Sequence, residues 1–246
     1  MKSLVLAAGY ATRLYPITRN FPKALLAVGT SHRKIIDRLI DDVDNLQDID
    51  EHVVVVNHAF FSHFDAWRKD RAFKHPVVLV DDGSTMNENR LGAVKDIALA
   101  VERYGIADTL LVLAGDNVLD FSLASFVSYQ KVKGASCIMR YYETDTARLQ
   151  RTGVLCIAAD DCVVEMQEKP RVPKSHWACP PFYIYTKECL PVLCGAVRGS
   201  VCDVDSPGDF IAWFCARHKV YAWEMRGRRY DIGDMDSYIM AQSMPF

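Results

Sequence analysis

An unbroken run of apolar residues near the start of the chain, Ser3–Ala8, most constrains how the protein can fold. A strand with one solvent-exposed face alternates apolar and polar residues, whereas a parallel strand covered by helices on both faces is apolar throughout. The run therefore predicts a buried strand of a parallel sheet. The small residues Ala7–Gly9 end it. Because they remove side-chain bulk, backbone N–H groups can approach a ligand closely at the carboxyl end of this strand.

The rest of the first half alternates short apolar strands with helical patterns. Strands are predicted at Val53–Val56, Val77–Val80 and Thr109–Ala114, and helices at Lys34–Leu46, Ala59–Arg71, Leu91–Tyr104 and Phe121–Lys131. The helical segments carry apolar residues at a spacing of three and four, which places them on one face. This alternation predicts an α/β fold with a doubly wound, Rossmann-like sheet that is mixed but mostly parallel.

From Ala135 onward the pattern becomes rich in strands. They are predicted at Ala135–Tyr142, Gly153–Ala158, Val163–Gln167, Pro181–Tyr185, Lys219–Glu224 and Arg229–Ile232, with helices only at Asp209–Arg217 and Met235–Gln242. We expect an added, small β-rich lobe here. No repeat, linker or low-complexity segment is visible, and 246 residues suit a single domain.

Charge and cysteine usage exclude several classes of protein. With 29 basic and 31 acidic residues the net charge is −2, so no global positive field is available to hold nucleic acid. The eight cysteines contain no CxxC pair, which argues against a zinc site made from them. Neither a signal peptide nor an apolar run long enough to span a membrane is present. We therefore expect reduced thiols, a cytoplasmic protein and no membrane partner.

Two cations follow the predicted turn at Gly9 and can fold back toward an anion held there. Arg13 offers a planar fork of donors and Lys23 a point charge. Such a site, with an open backbone turn and two cations, suits a nucleoside triphosphate as its ligand. The two familiar phosphate loops, GxxxxGK[ST] and GxGxxG, do not account for the segment, because the required glycines are missing.

The segment Met1–Gly29 resembles the opening of the sugar-nucleotide pyrophosphorylases, which is close to LAxGxGTRLxPxTxxxPKxLLxV. The one departure is Ala11, where the family usually has Gly, and we expect Ala there to demand a negative φ. The resemblance implies that an NTP and a sugar 1-phosphate give an NDP-sugar and pyrophosphate. It implies catalytic roles for Arg13 and Lys23. The nucleotide would lie against Leu6, Ala7, Ala8 and Gly9.

The resemblance extends over the whole chain and implies one nucleotidyltransferase domain at residues 1–246. Residues 1–134 would form a nucleotide-binding half and residues 135–246 an acceptor-binding half. The fold implied is that of the nucleotide-diphospho-sugar transferases. NTP and a sugar 1-phosphate, or another phosphate acceptor, are then the expected partners, and a homo-oligomer is left open.

A carboxylate at the end of a buried strand is the first candidate metal ligand. Asp116, in Gly115-Asp116-Asn117, lies where open α/β sheets place ligands. A carboxylate beside a triphosphate is repulsive unless a divalent cation lies between them, and Mg²⁺ takes such ligands readily. The tripeptide is equally a good turn. The resemblance assigns Asp116 to Mg²⁺, because the family carries a GD or GDN aspartate at this point.

The second metal ligand is expected in Tyr230-Asp231-Ile232-Gly233-Asp234, which resembles a [WY]xDIGT-like segment of the family. Alignment selects Asp231, with Asp234 as the alternative. Asp234 also suits a helix cap.

The acceptor side rests on a Glu-Lys-Pro sequence that resembles the EKP segment of the family. Glu168 would accept hydrogen bonds from sugar hydroxyls, and Lys169 would neutralise the attacking phosphate. Gly153 matches the family's [YT]GV and would let a sugar approach the backbone.

The base pocket is expected around Asp81–Val94, where Gly92 aligns with a glycine of the family. Asn87 or Asn89 would read the edge of the base. Arg90 either stacks on a base or meets a phosphate, or is an ordinary exposed arginine at a helix start.

Two other interpretations stay open. The chain can be a cytidylyltransferase for a non-sugar phosphate such as phosphocholine, with Trp177, Phe182 and Tyr183 as an aromatic cage beside Glu168. It can also be a binding or regulatory subunit without turnover. The seven histidines are dispersed and show no metal-ligand spacing, and a GxSxG elbow is absent.

Overall fold

The computed structural model describes the whole chain, Met1–Phe246. The strands are β1 (Lys2–Leu6), β2 (Ala27–Val28), β3 (Arg33–Lys34), β4 (Glu51–Val56), β5 (Val77–Asp81), β6 (Leu110–Ala114), β7 (Asn117–Leu119), β8 (Ser136–Tyr142), β9 (Gly153–Ile157), β10 (Val163–Glu168), β11 (Trp177–Cys179), β12 (Phe182–Tyr185), β13 (Val220–Glu224) and β14 (Arg229–Asp231). The helices are α1 (Ile35–Asp44), α2 (Phe61–Lys69), α3 (Ala93–Tyr104), α4 (Ala124–Lys133), α5 (Thr146–Leu149), α6 (Cys189–Arg198), α7 (Gly208–Phe214) and α8 (Met235–Gln242). None of these helices is both long and apolar enough to cross a membrane.

The chain forms two compact units, each made of separated segments. The first unit contains Met1–Leu91, Leu113–Ala124 and Gly227–Phe246, and the second contains Gly92–Val112 and Ser125–Arg226. The expected division into halves at residue 134 stays a prediction.

In the first unit, β1 pairs in parallel with β4, and β4 pairs in parallel with β5. Leu4 and Val5 of β1 and the four valines Val53–Val56 of β4 are fully buried, as expected for strands covered on both faces. α1 places Ile36, Leu39 and Ile40 on a buried face. This part of the predicted parallel α/β arrangement is confirmed.

The carboxyl-terminal end of the chain returns to the first unit. There β14 pairs antiparallel with β7, with Asp231 opposite Asn117. Ile232, Val118 and Ala241 pack with Leu26 and Ile35 in one buried cluster. This cluster fixes the segment after β14 beside the loop after β6.

The second unit is built mainly from antiparallel strands, which confirms the β-rich character expected after Ala135. β8 pairs antiparallel with β12 and β11 and in parallel with β13. β9 pairs antiparallel with β10 and β11. The prediction of few helices here missed α6, whose sequence CLPVLCGAVR contains a proline and a glycine. Pro191 lies in the first turn, where a proline costs no hydrogen bond, and packing of the buried Leu190 and Leu193 overrides the weak helix propensity.

Candidate active site

The turn after β1 presents backbone with little side-chain cover. Gly9 has no atom within 4 Å of the position that a Cβ would occupy. Ala7 and Ala8 are buried. The carbonyl of Leu6 accepts the amide of Gly115 at 2.9 Å, and the fully buried Asn57 donates its side-chain amide to the carbonyl of Ala8 at 3.0 Å. The predicted phosphate turn is therefore tied on both sides while its own surface stays open.

Ala11 has a left-handed backbone, with φ 48° and ψ 45°. The expectation that alanine at this position demands a negative φ is wrong. The carbonyl of Ala11 accepts hydrogen bonds from the amide of Leu14 at 2.9 Å and from Oγ1 of the buried Thr18 at 2.8 Å. These bonds hold a conformation that an L-residue adopts only at some cost, so the loop keeps a glycine-like path without glycine.

Arg13 lies on the 3₁₀ turn Thr12–Leu14 and is exposed. Its guanidinium makes no hydrogen bond or ion pair within the protein. Gly233 marks where it points: a Cβ added to Gly233 would lie 4.0 Å from Nη2 of Arg13 and 3.4 Å from Oδ1 of Asp231. Arg13 is thus an unpaired planar donor on the same side of Gly233 as one predicted metal ligand, within about 7 Å of it.

Lys23 and Asp116, which are 93 residues apart in sequence, form an ion pair with 2.7 Å between Nζ and Oδ2. Lys23 begins a 3₁₀ turn directly after Pro22, and only 12 % of its side chain is exposed. Burial raises the pKa of Asp116, but the Lys23 ammonium outweighs that effect and holds the pKa below its usual value. The two predicted groups are therefore brought together, with Asp116 ionised.

Asp231 belongs to the same constellation through the pairing of β14 with β7. Burial and the Asp116 carboxylate raise the pKa of Asp231, against the opposing charges of Arg229 and Lys23. Nη1 of Arg229 lies 3.4 Å from Oδ2 of Asp231 and 2.5 Å from Oδ1 of Asn117. Nδ2 of Asn117 donates to Oδ1 of Asp116 at 2.6 Å. Arg229 and Asn117 thus hold the two carboxylates in place.

Neither Arg229 nor Asn117 was predicted from the sequence as a site residue. Asn117 could have been identified because it directly follows Asp116 in the sequence. Arg229 could have been identified because residues two apart on a strand lie on the same side, which places Arg229 with Asp231.

Asp234 caps the amino end of α8 with its side chain. Its Oδ1 accepts the amide of Ser237 at 2.9 Å, and Oγ of Ser237 accepts the amide of Asp234 at 3.0 Å, which is a reciprocal capping box at the start of α8. The capping role that the sequence suggested for Asp234 is confirmed. Asp231 is therefore the better candidate ligand of the two.

A divalent cation fits the pair Asp116 and Asp231 chemically. The Asp116 carboxylate raises the pKa of Asp231, so the two carboxylates repel each other, and a cation bound between them relieves that repulsion. Oxygen ligands from one or two carboxylates, completed by phosphate oxygens, are also what Mg²⁺ prefers.

Asn87 and Asn89, which were expected to read the edge of the base, make hydrogen bonds within their own turn. Oδ1 of Asn89 accepts the amides of Thr85 and Met86, both at 3.0 Å, and so stabilises its own turn. Asn87 is half-buried, and its carbonyl accepts Nη1 of the exposed Arg90 at 3.2 Å. A base-reading role for Asn87 or Asn89 stays a prediction.

Gly92 has a structural reason to be glycine, within the second unit. Its φ is 94°, and a Cβ would lie 2.5 Å from the carbonyl oxygen of Val204. The amides of Ala93 and Val94, at the start of α3, are bonded to the carbonyls of Asp205 and Val204 at 3.1 and 3.0 Å. The close approach of this backbone explains the glycine without any ligand.

The predicted acceptor residues Glu168 and Lys169 lie in the second unit, at the end of β10. Burial raises the pKa of Glu168 to about 7, against the Lys169 ammonium, whose Nζ lies 3.8 Å from Oε1. Nζ of Lys169 also donates to Oγ of the buried Ser206. Lys169 itself has a left-handed φ of 46°, and its amide is bonded to the carbonyl of Thr152 at 3.1 Å. Such strain is typical of functional positions.

Two glycines make room for the Glu168 side chain. A Cβ on Gly153 would lie 3.3 Å from Oε2, and one on Gly208 would overlap the same oxygen. Gly153 lies beside Glu168, and the atom nearest to its Cβ position is Cε of Met166, at 2.4 Å. The approach of a sugar to the backbone of Gly153 stays a prediction. The helix predicted from Asp209 onward gave no indication that Ser206 and Gly208, just before it, contact Lys169 and Glu168.

The aromatic cage considered for a quaternary ammonium is not formed. Phe182 is fully buried and Tyr183 is 2 % exposed, so both belong to the core of the second unit. Trp177 is half-buried under the guanidinium of Arg140, 4.6 Å from the ring centre.

The chain is similar to known proteins over nearly its whole length. Residues 2–244 match the model of a family described as nucleotidyl transferase. The chain is 27 % identical over 249 residues to a glucose-1-phosphate adenylyltransferase of Fervidobacterium nodosum, a match that covers 96 % of this chain and 59 % of that protein. It is 24 % identical over 250 residues to the enzyme of the same name from Clostridium novyi, covering 96 % of this chain and 64 % of that one. The chain thus spans about three-fifths of the length of these relatives.

A solved structure of UDP-glucose pyrophosphorylase complexed with UDP-glucose superposes with a TM-score of 0.81 at 20 % identity, covering 98 % of this chain and 96 % of that one. This likeness confirms the predicted α/β, Rossmann-like fold with a mixed sheet. Because the family model matches nearly the entire sequence, the chain belongs to the nucleotidyl transferase family.

Proposed function

We propose that this protein is an enzyme that condenses an NTP with a sugar 1-phosphate, giving an NDP-sugar and pyrophosphate. The observation that carries the proposal is the convergence of Lys23, Asp116, Asp231 and the unpaired Arg13 within the first unit. Family membership and the names of the relatives support it.

The reaction needs no nucleophile from the protein. The second ionisation of a phosphate monoester lies near pH 6, so a sugar 1-phosphate is largely a dianion at neutral pH. One of its oxygens attacks the α-phosphorus in line, and the bond from that phosphorus to the bridging oxygen breaks as pyrophosphate leaves. Catalysis then depends on positioning and on neutralising the charge that develops on the leaving group.

Arg13 and Lys23 are the groups that neutralise this charge. Lys23 is held by Asp116, and Arg13 makes no bond in the protein, so its donors are available to phosphate oxygens. The nucleotide would lie along Leu6–Gly9, where Gly9 leaves the backbone uncovered. Asn87, Asn89 and Gly92 remain the proposed base-side residues.

Enzymes of this family generally use a divalent metal ion. We assign Mg²⁺ to Asp116 and Asp231, where it would neutralise phosphate charge. The carboxylates themselves are oriented by Asn117 and Arg229.

On the acceptor side, Lys169 would pair with the sugar phosphate and Glu168 with sugar hydroxyls, beside Gly153. A carboxyl group with a pKa of about 7 can donate or accept a hydrogen bond near neutral pH, which suits hydroxyl recognition. The burial of Phe182 and Tyr183 disfavours the phosphocholine alternative. A subunit without turnover is disfavoured by the retention of all four charged groups.

We also propose that the enzyme is cytoplasmic and has no nucleic acid or membrane partner. The eight free thiols and the net charge of −2 support it. Its oligomeric state is left open.

A substrate matrix tests the reaction. Each of ATP, CTP, GTP, UTP and dTTP is combined with glucose 1-phosphate, mannose 1-phosphate, N-acetylglucosamine 1-phosphate and phosphocholine, with Mg²⁺, and pyrophosphate release is measured. We expect release with at least one sugar 1-phosphate. Release with phosphocholine alone selects the cytidylyltransferase interpretation, and nucleotide binding without any release selects the silent subunit.

A further inference from the structure

A second group of metal-binding side chains lies in the first unit, away from the proposed catalytic residues. Asp44, His52 and His75 offer ligand atoms that all lie within 4.8 Å of one another. They come from three places: the end of α1, the start of β4, and the residue before Pro76 and β5. Ser3 of β1 pairs with His52, so the group lies at the amino ends of these parallel strands. The turn at Gly9 follows the opposite end.

The group is buried around one carboxylate oxygen. Oδ1 of Asp44 lies 3.0 Å from Nε2 of His52 and 2.8 Å from Nδ1 of His75. Oδ2 of Asp44 accepts the amide of Lys74 at 2.7 Å and Oδ1 also accepts the amide of His75 at 3.0 Å, and these two bonds fix the carboxylate plane. His52 is fully buried, and 22 % of the His75 side chain is exposed. Ions can therefore enter beside His75.

The buried charge of Asp44 has no lysine or arginine as a direct partner. The guanidinium of Arg71, which lowers the pKa of His52, forms ion pairs with Asp37 and Asp41 and not with Asp44. Buried charges in proteins are paired or coordinate a metal ion. Two imidazoles and one carboxylate are a ligand set that suits Zn²⁺, at about 2.0 to 2.2 Å per bond.

His52 also has the outer contact that ligating histidines usually have. Its Nδ1 lies 2.7 Å from Oγ of the buried Ser3. When Nδ1 carries the proton and donates it to Ser3, the lone pair of Nε2 faces Asp44 and is free for a metal. His75 needs the corresponding tautomer, with its proton on the outer nitrogen.

Zinc binding requires shifts of the ligand atoms. Ligand atoms of a tetrahedral zinc site are about 3.3 Å apart, given the bond lengths above. The two nitrogen–oxygen distances must therefore open by about half an ångström or less, and the distance between the two imidazole nitrogens, which is at most 4.8 Å, must come to the same value. Three protein ligands leave a fourth position, and the exposed side of His75 lets water fill it.

We propose that Asp44, His52 and His75 form a zinc site that ties the loop before β5 to α1 and β4. The site stabilises the first unit and takes no part in nucleotidyl transfer. Asp44 is 8 residues from His52 and 31 residues from His75 in the chain, so the unfolded chain does not hold the three ligands together and zinc binding favours the folded state.

Metal titration tests the proposal on the whole protein. After chelation and dialysis, Co²⁺ is added as a spectroscopic probe and Zn²⁺ as the competitor. We expect one tetrahedral site with nitrogen and oxygen ligands, which lacks the sulfur-to-cobalt absorption that cysteine ligands would give. Zn²⁺ should also raise the midpoint of thermal unfolding.

Variants locate the site. His75→Gln should no longer bind the one equivalent of Co²⁺ or Zn²⁺ at this site, and Zn²⁺ should no longer raise its midpoint of thermal unfolding. The matched control is His58→Gln, because His58 also contacts a carboxylate, Asp81, at 2.6 Å but has no second histidine beside it. Should His75→Gln fail to fold, Ser3→Ala tests the outer contact and should weaken zinc binding about 10- to 100-fold. Zinc binding that is absent from the wild type, or unchanged in His75→Gln or Ser3→Ala, overturns the proposal.

Discussion

Nζ of Lys23 lies 2.7 Å from Oδ2 of Asp116, and this one contact joins the opening segment to the end of β6. It holds a cation and a candidate metal ligand in fixed positions before any substrate arrives. Because reaction at a phosphorus centre depends on charges that are already in place, such a pair supplies preorganisation rather than chemistry of its own.

Replacing Lys23 by Met should lower kcat about 100-fold or more, because one preorganised charge on the transferring phosphates is lost. Pyrophosphate release under saturating NTP measures the effect. Lys2→Met is the matched control, since Lys2 is also paired, with Glu51, but lies at the other end of β1. Equal kcat values for the two variants contradict the role of Lys23.

Asp231→Asn and Asp234→Asn should behave differently. Asp231→Asn removes the charge that burial and Asp116 disfavour, so the metal-free protein should keep or gain stability while Mg²⁺-dependent turnover is lost. Asp234→Asn should retain both, because Asn caps a helix about as well as Asp. Denaturant unfolding and pyrophosphate release are measured on each. Turnover that survives in Asp231→Asn but not in Asp234→Asn reverses the assignment.

Ala11 tolerates a left-handed backbone that a β-branched residue does not. We expect Ala11→Gly to change the free energy of unfolding by less than about 1 kcal/mol, because relief of strain is offset by the greater freedom of glycine in the unfolded chain. Ala11→Val should cost about 1 to 3 kcal/mol. Denaturant titration compares the three proteins, and a valine variant as stable as the wild type would show that φ is negative after all.

Glu168 should make the wild type less stable at high pH. Its pKa is raised from 4.5 to about 7, so the folded state binds the proton more tightly than the unfolded state does. Stability is therefore lost as pH rises from about 4.5 through about 7, by at most about 3 kcal/mol. Glu168→Gln removes this dependence, so its stability relative to the wild type should rise between pH 5 and pH 8.

The control for this titration is Glu165→Gln, because Glu165 lies on the same strand and is paired with Lys174, but 41 % of its side chain is exposed, against 15 % for Glu168. The stability difference between the wild type and Glu165→Gln should not show the same rise between pH 5 and pH 8. A pH-independent difference for Glu168→Gln rejects the raised pKa.

Much of the first unit could be predicted, because burial on both faces leaves a direct trace in the sequence. The unbroken apolar residues of β1 and the valines of β4 predicted parallel strands, and the small residues after β1 predicted the open turn. The position of Asp116 followed from the strand before it. The ion pair with Lys23 could be anticipated only as a general folding back of cations, since a long-range contact has no local signature.

Other features have no such trace. α6 contains Pro191 and Gly195, and its helical state depends on packing that propensity does not report. The conformation of Ala11 depends on hydrogen bonds from Leu14 and Thr18. His52 and His75 looked dispersed because their spacing matches no motif, and only the pairing of β1, β4 and β5 brings them to Asp44.

Arg13 gives the most direct test of nucleotidyl transfer. Its guanidinium is free in the protein and close to Asp231, so its removal should affect the reaction and little else. Arg19→Ala is the matched control: Arg19 belongs to the same loop and lies over the ring of Tyr15, 5.6 Å from its centre. The measurement is kcat for pyrophosphate release with Mg²⁺, an NTP and the best sugar 1-phosphate. We predict a loss of about 100- to 1,000-fold in Arg13→Ala and near wild-type rates in Arg19→Ala, whereas equal rates in Arg13→Ala and the wild type would contradict the proposed mechanism.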